Sequence, residues 1–200
     1  MSTGPIEFPI EGLSDGSVRL RLIAEADLAA IVAACQDPEI ARWTHVPDPY
    51  TDADARHWSD EQDRLRREGS ELHLLVVEDD TDRLLGAIGL TVDAGEGRGV
   101  LGYWVAAEAR GSGVASRAVR LLASWALDEL ELGRVQLNVE PENEASLRVA
   151  ESTGFTREGM LRSYAVIKGR RRDMVVFSLL PGDLPGEGSP GKEPAAREVA

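Results

Sequence analysis

The sequence predicts an α/β domain built on a mixed sheet, and three observations carry that reading. Short apolar runs with a period of two alternate along the chain with segments whose apolar residues recur at helical spacing. A glycine-bearing turn, Arg110-Gly111-Ser112-Gly113-Val114-Ala115, joins one such run to an amphipathic helix. A hydrophobic content of 42% over 200 residues suits one domain able to bury a core and a ligand cleft.

In chain order, residues 1–12 read as a loose arm or an outer strand. Val18, Leu20 and Leu22 alternate as a first strand, followed by a helix across about Glu25–Ala34. Thr51 and Asp54 form a capping box for a helix from Asp52 to about Arg67, with Gly69 as its stop. Leu72–Glu78 and Leu84–Val92 read as paired strands around a polar turn. The Gly95-x-Gly97-x-Gly99 loop after them has strands on both sides and no helix following, which reads as a plain hairpin connection. Val100–Val105 is a buried strand, about Gly113–Glu131 a helix, Arg134–Val139 a strand, and a short helix runs to about Thr153. Gly154 stands where a helix C′ residue is expected. A long hairpin, about Phe155–Ile167 and Asp173–Leu180, turns at Lys168–Arg172, a cluster that reads as a solvated tip or a contact for an anionic group. From 181 onward proline, glycine, charge and alanine dominate, the composition of a disordered tail. The domain therefore spans 13–180.

The turn at 110–115 carries chemistry. A glycine-bearing turn that opens a helix leaves several backbone N–H groups without intrahelical partners, converging where the helix dipole favours negative charge. Gly111 and Gly113 let a ligand approach the backbone, Arg110 offers a cationic fork, and Ser116 offers either a further hydroxyl or a helix-capping group. This is a phosphate cradle, with Arg110, Gly111, Ser112, Gly113, Val114, Ala115 and Ser116 as its members. It is neither a Walker loop nor a Gly-x-Gly-x-x-Gly turn.

Four ordered motifs resemble the GNAT acetyltransferase superfamily. They are Arg110-x-x-Gly113-x-Ala115, Asn143-x-x-Ser146 before a helix ending in Gly154-Phe155, Glu158-Gly159-Met160-Leu161-Arg162, and Asp173-Met174-Val175-Val176-Phe177-Ser178-Leu179. The last two look like the ribosomal-protein alanine N-acetyltransferase branch. The resemblance runs from roughly Val18 to Leu180. It implies a mixed, mostly antiparallel sheet flanked by helices, with a splayed central strand pair that holds acetyl-coenzyme A as co-substrate. It implies direct acetyl transfer to a primary amine, on a peptide or protein N-terminus or on a small amine or antibiotic, and it allows a homodimer.

By that resemblance the 110–116 loop holds the diphosphate, and Tyr103, Trp104 and Val105 face the strand around Gln136–Val139 across the gap that takes the pantetheine arm. A backbone N–H there would stabilise the developing oxyanion, an effect worth about 3–4 kcal/mol. Asn143 matches a residue that hydrogen-bonds the arm, and Ser146 the hydroxyl that protonates the departing thiolate. Taken as residues alone, Tyr103 and Trp104 read as core aromatics, Asn143 as a turn or N-cap residue, and Ser146 as a first-turn helix residue. The position where some members of the branch carry a glutamate falls at Ala165, so no base is assigned. An α-amine, with a pKa near about 7.7–8.0, needs little help; a lysine amine near about 10.4 needs more. Tyr164 is expected on the opposite strand face. Glu140 and Glu142 lie nearer the cleft, in a loop where carboxylates are usually solvated.

Composition narrows the partners. A net charge of −13 disfavours nucleic acid and suits a cationic substrate as well as it suits solubility alone. No run reaches the length of a membrane span, and the N-terminus lacks a signal-peptide layout, so a cytoplasmic location is expected. Cys35, the single cysteine, sits in an apolar helix and reads as a buried structural thiol. His45, His57 and His73 lack metal-ligand spacing, and no metal is expected. His45 reads as packing on Trp43, with substrate contact as the other reading, since by the resemblance its loop approaches the acceptor pocket. A non-catalytic acyl-coenzyme A sensor is the other class that the same loop would serve.

Overall fold

The computed structural model describes residues 4–183; of the predicted tail, residues 184–200 lie outside the described part. Eight strands form one sheet in the order β1-β2-β3-β4-β5-β6-β8-β7. They are β1 (Leu13–Ser14), β2 (Val18–Arg21), β3 (Glu71–Glu78), β4 (Leu84–Asp93), β5 (Arg98–Val105), β6 (Arg134–Val139), β7 (Thr156–Ile167) and β8 (Arg170–Leu179). Every neighbouring pair is antiparallel except β5 and β6. The helices are α1 (Leu28–Ala34), α2 (Pro38–Trp43), α3 (Asp52–Glu68), α4 (Val114–Asp128) and α5 (Glu144–Ser152). The mixed, mostly antiparallel sheet flanked by helices is the architecture the sequence predicts. Among the described residues no helix is long and apolar enough to cross a membrane.

Both faces of the sheet are covered, which is why β3 reads as a nearly continuous apolar run rather than a clean alternation. Leu72, Leu74 and Val76 pack with Leu90, Val119, Leu122 and Phe177 on the α4 face. Leu75 and Val77 pack with Ile31, Cys35, Tyr50 and Ala55 on the face of α1–α3. Leu122 and Phe177 are fully buried, and burying a side chain of this size contributes about 1.5–3 kcal/mol.

Local signals set most element ends. Thr51 Oγ1 accepts from the Asp54 amide while the Asp54 carboxylate accepts from the Thr51 amide, the capping box foreseen for α3. Gly69 closes that helix in the left-handed conformation at φ 77°. Gly154, at φ 89°, does the same after α5, with the Phe155 N–H donating to the Ala150 carbonyl. The helix α4 ends at Asp128, short of the predicted Glu131. Glu131 itself takes the left-handed conformation, and the Leu132 N–H turns back to the Ala126 carbonyl.

Three departures matter. The short helix α2 was not predicted, although Asp37 caps the Glu39 amide and Pro38 occupies the first turn. The N-terminal arm is pinned: Ile6 is buried, its N–H donates to the Arg66 carbonyl, and Phe8 stacks edge-on against Trp125 at 5.3 Å. The hairpin tip is not merely solvated. Lys168 Nζ donates to the Ala41 carbonyl at 2.6 Å, which ties the tip to α2, and Arg172 pairs with Glu140.

Candidate active site

The pairing of β5 with β6 runs from Arg98/Arg134 to Leu101/Leu137 and stops. Beyond that point β5 stays on β4 as far as Val105/Gly86, and β6 stays on β8 as far as Val139/Val175. The two central strands therefore part, leaving one peptide edge of each without a ladder partner. The Trp104 carbonyl faces β4, where it approaches Gly86 so closely that a Cβ there would meet it at 2.3 Å, and the Ala106 N–H donates to the Leu85 carbonyl. Because successive residues of a strand address opposite edges, the peptide groups of Tyr103 and Val105 point into the gap. The Val105 carbonyl already accepts from Arg110 Nε at 3.1 Å.

The cradle lies just past the end of β5. Gly111 and Gly113 both hold left-handed φ values, 75° and 84°, and a Cβ at either would meet nothing within 4 Å. Gly113 is the N-cap of α4 and no side chain caps that end. The amides from Gly111 through Ser116 donate to no acceptor among the described residues. Unpartnered amides at a helix N-terminus are suited to an anion. Arg110 is less free than its position in the sequence suggests, since its guanidinium also pairs with Asp37. Ser112 Oγ donates to the Ala109 carbonyl, and Ser116 Oγ, which caps nothing, meets Ser152 Oγ at 3.3 Å.

On the other side of the splay lies a cavity of about 810 Å³, in the range of small-molecule sites. Tyr103, Trp104, Asn143 and Ser146 line it; Val105 and the residues 110–116 do not. Asn143 is the N-cap of α5, its Oδ1 accepting from the Ser146 amide at 3.1 Å. The capping role considered from sequence is thus present, with the side-chain N–H₂ left over. Ser146 Oγ makes no hydrogen bond of ordinary geometry. The Tyr103 hydroxyl is buried without a partner, and burial pushes its phenol up to about 12, a rise that the nearby Ser146 partly offsets.

The cavity also gathers residues to which the sequence reading gave no role or, for His45, a substrate contact only as the second reading. His45, His57 and His73 all line it, from the α2–α3 loop, α3 and β3. His73 Nε2 meets Glu71 at 2.8 Å, and Trp58 stands edge-on to its ring at 6.0 Å. Among the described residues no group of three or more His, Cys, Asp or Glu is placed to hold a metal ion. Tyr164 was assigned to the far strand face, yet Tyr164 and Ala165 both line the cavity. The reason is an irregularity in the β7–β8 register between Leu161 and Ala165, with Ser163 at φ 55°. Cys35 is buried as expected, its thiol pushed up to about 12 by desolvation.

Glu140 overturns the expectation of a solvated loop carboxylate. It is only 5% exposed and lines the cavity just past the end of β6. Arg172 reaches its Oε2 at 3.1 Å, and Oε1 has no partner. Burial raises its carboxyl above the usual range; Arg172 opposes that, Glu142 adds to it, and Arg42 opposes it.

Comparison with known proteins agrees with this geometry. The chain is 32% identical over 179 residues to the N-acetyltransferase p20 of Bacillus licheniformis, covering 88% of this chain and all of that protein. RimJ of Mycobacterium smegmatis, solved with CoA-disulfide, superposes with a TM-score of 0.77 at 22% identity, over 88% of this chain and 86% of that one. Spermidine N-acetyltransferase of Vibrio cholerae, solved with CoA and spermine, gives 0.70 at 21% identity over 83% and 96%. At such identity these structures speak for the fold. A family model described as an acetyltransferase (GNAT) domain matches residues 17–156. With that match and that relative joined to the splayed sheet, the chain belongs to the GNAT acetyltransferases.

Proposed function

We propose that this enzyme transfers an acetyl group directly from acetyl-coenzyme A to a primary amine, on a peptide N-terminus or a small amine. The observation that carries the reading is the end of β5–β6 pairing at Leu101/Leu137, which leaves strand edges free between an anion cradle and a largely apolar cavity with a few polar groups. The residues present fit the co-substrate. Unpartnered amides of 111–116 suit a diphosphate, and the Tyr103 and Val105 peptide groups suit the amides of a pantetheine arm. Acetyl-coenzyme A, when bound, supplies an activated acyl carbon and a thiolate leaving group.

The remaining work falls to the chain. An N–H of Tyr103 or Val105 stabilises negative charge developing on the acyl oxygen, worth about 3–4 kcal/mol where water is excluded. The free N–H₂ of Asn143 orients the arm. Ser146 Oγ, unbonded and beside Tyr103, supplies a proton to the departing sulfur, with the buried Tyr103 hydroxyl as its neighbour. A phenol is protonated at neutral pH and burial reinforces that, so Tyr103 serves as a donor. The test is release of coenzyme A thiol from acetyl-coenzyme A with two acceptor sets, unblocked peptides of varied first residue and small cationic amines. Turnover confined to one set names the acceptor class; tight binding of acetyl-coenzyme A with no turnover in either would refute the proposal.

A further inference from the structure

Among the described residues Glu140 is the only carboxylate in the buried class, and the fold leaves it half satisfied. Burying a charge is costly unless its lone pairs are met, and among the six buried side-chain polar atoms that lack a hydrogen-bond partner in the described residues Glu140 Oε1 is the one carboxylate oxygen in the cavity lining. Arg172 takes Oε2, Oε1 is buried without a hydrogen-bond partner among the described residues, and Glu140 lines the cavity just past the end of β6. The rest of the lining is one-sided. Asp54, Glu61 and Glu71 join Glu140, three histidines are present, and no lysine or arginine lines the cavity. Trp43, Trp58 and Trp104 add aromatic surface, which attracts cations. This cavity is built for a positively charged guest.

We infer that the acceptor is a cationic amine whose ammonium docks on Glu140 Oε1 and gives its proton to that carboxylate, which makes Glu140 the catalytic base. The inference rests on the acetyl-transfer reading and adds the proton acceptor that reading lacked at Ala165. The protons balance. An ammonium holds three, and the amide product keeps one. The first passes to Glu140 Oε1. The freed nitrogen forms its bond to the acyl carbon, the carbon–sulfur bond breaks, Ser146 gives its proton to the sulfur, and the second proton leaving nitrogen restores the Ser146 hydroxyl. Glu140 then releases its proton to solvent, and nothing is oxidised or reduced.

The charged groups around Glu140 tune this role. Burial, the largest influence, and Glu142 raise the carboxyl's affinity for a proton, while Arg172 on β8 and Arg42 on α2 favour the ionised form. A carboxylate in water is too weak a base to compete for an ammonium proton; one that is desolvated stands nearer the working pH.

The experiment compares the full chain with Glu140→Gln, which keeps size and removes the charge. Acetyl-coenzyme A affinity and melting temperature report folding. Calorimetry on the coenzyme A complex follows binding of 1,4-diaminobutane, spermidine and an unblocked alanine-led peptide, and thiol release gives kcat with the same three. Expected are unchanged acetyl-coenzyme A affinity, at least tenfold weaker amine binding and a kcat lower by about 10²–10⁴-fold, the usual range for losing a general base. A second variant, Arg172→Gln, removes the group that lowers the Glu140 pKa, so the acidic limb of its kcat/KM profile moves to higher pH while activity persists above it. Amine binding and turnover in Glu140→Gln within about twofold of the native enzyme overturn the proposal. Weaker amine binding with kcat intact overturns the proton transfer and leaves Glu140 as an anchor. A native protein that binds acetyl-coenzyme A and takes none of the three amines overturns the docking of a cationic acceptor. A native protein that fails to bind acetyl-coenzyme A sinks the acetyl-transfer reading itself, and this inference with it.

Discussion

Substituting Gly86 by alanine tests whether the β4–β5 pair is the rigid reference from which β6 departs. A methyl at 86 would lie 2.3 Å from the Trp104 carbonyl oxygen and 3.1 Å from the Val105 Cα. A carbon–oxygen contact settles near about 3.3–3.6 Å, so relief demands roughly 1 Å of strand movement. Both neighbours are backbone, so no rotamer change absorbs the clash. Overpacking of this kind costs about 1–3 kcal/mol. The lower entropy of the unfolded alanine chain offsets about 0.4–1 kcal/mol of that. The mid-range net is about 1.3 kcal/mol, and for a domain of this size each kcal/mol moves the melting temperature by about 2–4 °C, so the expected fall is roughly 3–5 °C. The movement pushes the Tyr103–Val105 segment toward the gap, so acetyl-coenzyme A binding weakens as well. Differential scanning calorimetry and titration calorimetry measure the two effects. Gly102→Ala is the control, since a Cβ there meets nothing within 4 Å and its melting temperature should not fall. If Gly86→Ala melts within about 1 °C of the native protein and binds acetyl-coenzyme A equally well, the reasoning fails.

Three further outcomes are expected. Gly113→Arg abolishes acetyl-coenzyme A binding in titration calorimetry because its side chain fills the open cradle. Gly113→Ala, which carries only the left-handed backbone strain of about 1–2 kcal/mol, melts lower and retains binding. Ser146→Ala keeps acetyl-coenzyme A affinity and loses about 10²-fold or more in thiol-release kcat; full activity would remove Ser146 from the mechanism. Hydrogen bonds from Arg134 and Ser178 hold the Glu158 carboxyl down at about 2, below the ordinary value of 4.5. A depressed folded-state pKa gives stability that is present above the ordinary carboxylate range and lost as pH falls through about 2. Because the pair is partly exposed, the effect is about 1 kcal/mol or less. Denaturant midpoints of Glu158→Gln should therefore vary less with pH than those of the native protein across the window from 4.5 down to about 2.

Legibility in the sequence followed the range of the interactions concerned. The capping box at Thr51 and Asp54, the stops at Gly69 and Gly154, and the amphipathic stripe of α4 depend on residues a few positions apart. All were readable because a capped or striped helix is recognisable from its own segment. The helix α2 was missed although its signal, Asp37 before Pro38, is equally local; its six residues are too few to show periodicity. Tyr164 was placed on the wrong face because strict alternation holds only for an unbroken strand. The register irregularity that breaks it comes from pairing with β8. Glu140 reads as a solvated loop residue in any window of sequence, yet the fold buries it and pairs it with Arg172, 32 residues further along the chain.

The sequence by itself determined the longer helices and most of their ends, the alternation that builds the sheet, the glycine turn at Arg110–Ser116 that opens α4 and the order of motifs that assigns the family. These depend on backbone sterics, capping and periodicity, which act within a turn or a strand. Only the tertiary structure decided where β5 and β6 part, which carboxylate is desolvated, and that histidines from three separate elements face one cavity. Those are properties of packing between segments distant in the chain. Burial and ladder pairing have no local signature, because each is set by whatever the rest of the chain brings alongside.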